Sequence, residues 1–133
     1  MKKNLVLTGM MGVGKSTIGR SLSKKLNMRF VDLDRVIEKR ESATIKEIFR
    51  KKGERYFRNL ERELALKNLK KENSIIALGG GAFIDRHIRK EVLKNCISFW
   101  IDVKIDVVLN RSKSLRKRPL LNKVNLKSTF HNI

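Results

Sequence analysis

The chain has 133 residues, 41% hydrophobic and 34% charged, with one cysteine, Cys96, and a formal net charge of +19. That length favours a single domain, 1–133, and the apolar share is too high for a disordered chain and sufficient for a core without disulfides. No stretch reaches the roughly 18 apolar residues of a membrane span, and the apolar run after Lys2 and Lys3 is too short for a signal peptide, so the expected setting is the cytoplasm.

Asn4-Leu5-Val6-Leu7 is apolar on successive residues, as strands buried in a parallel sheet are. It leads into Gly9-Met10-Met11-Gly12-Val13-Gly14-Lys15-Ser16, and the four-residue spacing of Ile18, Leu22 and Leu26 predicts a helix with those residues on one face. Arg29-Phe30-Val31-Asp32 predicts a second strand. From Asp34 to Lys70 the pattern is helical, broken near Glu41-Ser42-Ala43-Thr44 and at Gly53, with Phe57, Leu60 and Leu64 on the apolar face of the last helix. Ser74-Ile75-Ile76-Ala77-Leu78 predicts a third strand ending in Gly79-Gly80-Gly81. Asp85 is placed to cap a helix running to about Lys94. Ile97-Ser98-Phe99-Trp100-Ile101 is a fourth strand, with Cys96 before it as a small buried hydrophobe, and Asp106 to Ser112 a short helix. Leu120 to Ile133 has no strand-like apolar run. Strands alternating with helices predict an α/β fold, a parallel sheet with helices on both faces.

The charge admits three readings: a surface made of lysine and arginine, attraction of anionic small substrates, or nucleic-acid binding. Nucleic acid is the least supported, because the cations are spread along the chain and aromatics, at 6%, supply no stacking platform. Neither His87 nor His131 has metal-ligand spacing with Cys96 or with acids.

Gly9-x-x-x-x-Gly14-Lys15-Ser16 matches the phosphate-binding loop at every fixed position, between a strand and a helix. The glycines let successive N–H groups point at an anion, and the helix adds the positive end of its dipole. Lys15 brings a charge to the β- and γ-phosphates, and Ser16 offers a hydroxyl to Mg²⁺. The loop implies a nucleoside triphosphate but not the phosphate acceptor.

Acceptors sit beyond the carboxyl ends of the strands. There Asp32-Leu33-Asp34 offers one acid for the Mg²⁺ shell and one for a hydroxyl proton, with a helix cap as the lesser reading of Asp34. Gly79-Gly80-Gly81 would let a ligand touch the backbone, or be a flexible turn. Arg58 and Glu61, three apart on a helix, could grip a carboxylate or form a solvated ion pair. Arg116-Lys117-Arg118-Pro119-Leu120-Leu121 is either a basic lid, spanning 112–124, or a solvated loop.

Taken in order, GMMGVGKSTIG, VDLD, FRNLE, LGGGA and RPLL resemble shikimate kinase, from Lys3 to about Leu121. The resemblance implies a three-layer P-loop fold with parallel strand order 2-3-1-4-5, and transfer of the γ-phosphoryl of ATP to the 3-hydroxyl of shikimate, in a protein that tends to be monomeric. Gly12, Val13, Gly14, Lys15, Ser16 and Thr17 would hold phosphate, with Ser16 and Asp32 at Mg²⁺. Asp34 would bind the shikimate hydroxyls and act as base. Arg58, supported by Glu61, would grip the carboxylate, Gly79, Gly80 and Gly81 would contribute backbone donors, and Phe49 and Phe57 would pack on the ring. Arg118 would stabilise the transferring phosphoryl and Arg111 flank adenine. After Pro119 the chain departs from the family: the second carboxylate-binding arginine, the fifth strand and the final helix are not evident. The expectation is a truncated sheet with an open edge beside Trp100, and an acceptor site weakened by about 1.5–3 kcal/mol. Other readings are a gluconate-kinase-like enzyme, or a degenerate P-loop protein binding nucleotide or nucleic acid without turnover.

Overall fold

A computed structural model describes residues 3–9, 14–102 and 125–129. In chain order the elements are β1 (Asn4–Gly9), α1 (Lys15–Leu26), β2 (Arg29–Asp32), α2 (Leu33–Glu41), α3 (Ile45–Leu69), β3 (Ser74–Ala77), α4 (Arg86–Asn95), β4 (Cys96–Asp102) and β5 (Asn125–Thr129). The sheet order is β2-β3-β1-β4-β5. The first four strands are parallel, with Val6 opposite Ile76 and Ser98, and Val31 opposite Ile76. Their carboxyl ends therefore lie on one side and carry Gly9, Asp32 and the glycine turn together.

Alternation along β1 divides the core. Val6 points into a cluster with Leu33, Ile37, Phe57, Leu60, Leu64, Ile76, Leu78, Ile88 and Val92, the apolar faces of α2, α3 and α4. Leu7 points the other way, joining Ile18, Ile75 and Ile101 under α1. These are the helical layers on both faces. Leu26 departs from the expected apolar face of α1. It is the helix's last residue, where Asn27 turns the chain with φ 54°, and it is 41% exposed.

α3 begins with a reciprocal cap. The Thr44 hydroxyl accepts from the Glu47 N–H, and the Glu47 carboxylate accepts from the Thr44 N–H. The break expected at Gly53 is present, with φ 86° and ψ 168° inside the helix. Asp85 caps α4, its carboxylate accepting from the backbone N–H of His87 and Ile88.

The expected bare edge of β4 is corrected. β5 pairs antiparallel with β4, Leu126 opposite Ile101 and Lys127 opposite Trp100, in the outer place of the expected order but in the reverse direction. An antiparallel edge strand needs no continuous apolar run, so composition does not reveal it. The expected helix at Asp106–Ser112 and the segment 112–124 lie outside the described residues.

Asn4 ties the far end of the sheet. Its amide donates to Leu69 O at 3.0 Å and Lys71 O at 2.6 Å, and its oxygen accepts from Ser74 N–H at 2.9 Å. Asn4→Ala removes two buried hydrogen bonds, to Leu69 O and from Ser74 N–H, and a part-buried one to Lys71 O. It is expected to lower unfolding free energy by about 2–3 kcal/mol in urea titrations while leaving nucleotide affinity unchanged. A loss of affinity without a loss of stability would contradict it.

Candidate active site

Asp32 ends β2 with an extended backbone at the start of α2, yet its carboxylate does not cap the helix. Instead the Ser16 hydroxyl donates to Asp32 Oδ2 at 2.7 Å, joining the first turn of α1 to the end of β2. Lys15 donates to the Gly9 carbonyl at 3.0 Å. Burial lowers the pKa of the Lys15 ammonium, and Asp34 and then Asp32 draw it back up. Asp34 is the second residue of α2 rather than its cap, which settles that alternative.

Gly14, Lys15, Ser16, Thr17, Asp32, Asp34, Gly79 and Gly80 line one cleft of about 390 Å³. Sequence reasoning passes over Arg35, Glu38 and Ile45 on its wall. Arg35 and Glu38 follow Asp34 by one residue and by one turn, a signal the helical spacing carries. Ile45 follows a turn, so no spacing rule reaches it.

The glycine turn after β3 is a matter of space. A Cβ on residue 79 would stand 2.9 Å from Asp34 Oδ1, and one on residue 81 would stand 2.6 Å from Arg58 Nη2. Two charged side chains thus press against the turn two residues apart. Gly80 lies between them, with no atom nearer than 3.9 Å to such a Cβ.

The Arg58 ion pair is solvated on the arginine side only. Arg58 donates to Glu61 Oε1 at 2.8 Å, and Glu61 is 2% exposed. A second, looser contact reaches Glu54 at 3.6 Å. The guanidinium lies 5.2 Å from the Phe57 ring centre and 5.9 Å from that of Phe49, and the two rings are 4.7 Å apart. Burial opposes the Arg58 cation, but Glu61 and then Glu54 outweigh it and its pKa moves up. Burial pushes the Glu61 carboxyl up, and Arg58 pulls it back. The pair fixes the direction of the arginine, since a buried carboxylate deprived of its partner is costly.

Ser16 and Asp32 put a hydroxyl and a carboxylate oxygen side by side next to Lys15. Hard oxygen donors of this kind suit Mg²⁺, which keeps several waters and binds through one or two protein groups plus phosphate. Among the described residues no group of three His, Cys, Asp or Glu forms a fuller metal cage. The Cys96 thiol is half-buried and pushed up to about 11 by burial, away from this chemistry. Gly12, Val13, Arg111 and Arg118 lie outside the described residues. No described helix is long and apolar enough to cross a membrane.

A strand–Gly-Lys-Ser–helix unit at the head of a parallel sheet, facing an acid pair, defines a P-loop protein of the small-molecule kinase class. The family profile described as shikimate kinase matches residues 11–132. A shikimate kinase of Persephonella marina is 43% identical over 121 residues, which cover 91% of this chain and 74% of that protein. The crystal structure of shikimate kinase from Bacteroides thetaiotaomicron superposes with a TM-score of 0.78 at 36% identity, covering 90% of this chain and 68% of that one. Shikimate kinase from Acinetobacter baumannii, solved in complex with shikimate, gives 0.78 at 34% identity, covering 91% and 68%. This chain belongs to the shikimate kinase family.

Burial first, and then Asp32, raise the Asp34 pKa, while Lys15 lowers it. An unfolded Asp titrates at about 3.9. The folded group therefore keeps its proton to higher pH, so its favourable contribution is present at low pH and lost as pH rises through the raised value. At pH 7, without nucleotide or Mg²⁺, Asp34→Asn is expected to melt at or above the wild-type Tm, with the gap closing in acid. A Tm several degrees lower at pH 7 would refute this electrostatic cost.

Proposed function

We propose that the chain transfers the γ-phosphoryl group of ATP to the 3-hydroxyl of shikimate. The observation that carries this reading is the glycine turn with Asp34 at one end and Arg58 at the other. It suits an acceptor with a hydroxyl to be deprotonated and a carboxylate to be gripped, and family membership supplies the acceptor's identity. Gluconate lacks the ring that Phe49 and Phe57 would flank, which counts against the gluconate-kinase-like alternative.

Arg58, aimed by Glu61, takes the carboxylate through parallel N–H bonds. Gly79, Gly80 and Gly81 allow close approach of the ring substituents to the backbone. Asp34 accepts the proton of the 3-hydroxyl as that oxygen bonds to the γ-phosphorus and the bond from phosphorus to the β-bridging oxygen breaks, releasing ADP. Burial makes Asp34 a stronger base than a solvated carboxylate. Lys15 holds charge against the phosphates, and Gly12, Val13, Gly14 and Thr17 belong to the same cradle. Ser16 and Asp32 would hold Mg²⁺, which, when bound, neutralises charge developing on the β- and γ-oxygens. Arg118 is proposed for the transferring phosphoryl and Arg111 for adenine, on motif position alone. The reading places the protein in the cytoplasm, as a monomer with small-molecule partners.

The test is ADP formation from Mg·ATP with and without shikimate. Turnover that requires shikimate and falls by about 10²–10⁴ in Asp34→Asn supports the assignment; ATP consumption indifferent to shikimate overturns it. Gly81→Ala, which forces the Arg58 guanidinium aside, is expected to raise KM for shikimate on the order of ten- to hundred-fold and to leave KM for ATP unchanged. Equal effects on both substrates would show that the turn serves the fold rather than the acceptor.

A further inference from the structure

Glu38 is an unfavourable residue where it stands. It follows Asp34 by four positions on α2, so the two carboxylates share a face of the helix and line the same cleft, with Glu38 half-buried. Like charges at that spacing repel, and an alanine would avoid the cost but could accept no hydrogen bond. What the carboxylate gains is one bond: Glu38 Oε2 accepts from the backbone N–H of Ile45 at 2.9 Å. Ile45 is the first residue of α3 and itself forms cleft wall. Its N–H is one of the four that a helix start leaves unpaired, and the Thr44–Glu47 cap satisfies others but not this one. The bond spans the Ser42–Thr44 turn and ties the helix of the proposed base to the helix that bears Phe49, Phe57 and Arg58.

Building on the shikimate kinase reading, we propose that Glu38 is a positioning residue for the acceptor. It fixes the start of α3 against α2, so that Ile45 and the Arg58 grip keep their spacing from Asp34. The bond acts on the acceptor side of the cleft and not on the phosphate cradle, whose residues come from β1, α1 and the end of β2. Its loss is therefore read in one substrate and not in the other.

The experiment measures kcat and both KM values for wild type, Glu38→Ala, Glu38→Gln and Thr44→Ala, with amide hydrogen exchange at Ile45. Glu38→Ala should raise KM for shikimate about tenfold with KM for ATP unchanged. Glu38→Gln, whose amide oxygen can still accept from Ile45, should return KM for shikimate to within about threefold of wild type. Thr44→Ala weakens the same helix start without touching this bond and should change KM for shikimate no more than about threefold. The proposal is overturned if Glu38→Ala behaves as wild type, if both KM values rise together, if Glu38→Gln is as impaired as Glu38→Ala, or if Thr44→Ala reproduces its effect. Absence of shikimate-dependent turnover in the wild type sinks the functional reading instead. In that case Ile45 exchange decides: protection lost in Glu38→Ala and kept in Glu38→Gln supports the anchor, and unchanged protection in Glu38→Ala removes it.

Discussion

Asp34 and Arg58 reach the ends of the glycine turn only because residues 79 and 81 carry no Cβ. The rest of the site depends on that clearance. β3 is central, paired with β1 on one side and β2 on the other, which anchors the strand from which the turn leaves. The carboxylate and the guanidinium approach from different elements, α2 and α3, and meet the same backbone. The turn thus acts as a spacer between the group that would take a proton and the group that would hold the acceptor.

The elements behind this spacer are arranged to keep charges where solvent would otherwise have them. Asp34 is half-buried beside Asp32, and Glu61 is almost wholly inside. Each costs stability taken alone. Each is offset by a nearby cation, Lys15 for the first and Arg58 for the second. The apolar cluster beneath, from Val6 through Phe57 and Leu78 to Val92, supplies the burial that lets the arrangement persist. Asp32 is spared helix-capping duty, and its oxygen faces Ser16 instead, which leaves the start of α2 without a side-chain cap. A local rule of helix stability is broken where the chemistry needs an oxygen, as functional sites often show.

Much of this arrangement is legible in the amino-acid sequence. Period and punctuation place β1 to β4 and α1 to α4 because each is long or sharply bounded: Gly14, Thr44, Gly53 and Asp85 act at the positions where their backbone or cap chemistry is needed. Lys15, Ser16, Asp32, Asp34 and Arg58 carry motif signals, and the fold gathers them at strand ends. β5 is not legible, since an edge strand with one partner needs neither length nor apolarity. The steric role of Gly79 and Gly81 is hidden as well. Sequence shows the absence of a side chain but not what fills the space. The buried state of Glu61 cannot be separated from a surface pair by sequence, because spacing fixes which residues are neighbours on a helix and not which way the helix faces.

The charge distribution follows from the same logic. Four of the chain's 13 acids, Asp32, Asp34, Glu38 and Glu61, stand in or beside the cleft, inside a protein of net charge +19. Two anionic substrates would be repelled by such a cleft if it acted alone. At physiological salt, charges act over about 8 Å, so the approaching anion meets the cationic exterior first and the acids only at contact. At contact three of the four are occupied: Asp32 by the Ser16 hydroxyl, Glu61 by Arg58 and Glu38 by the Ile45 amide. Asp34 is the member of the four for which no such bond is formed by the described residues, and burial favours its taking a proton. The basic exterior and the acidic floor are therefore complementary, the first acting on encounter and the second on chemistry.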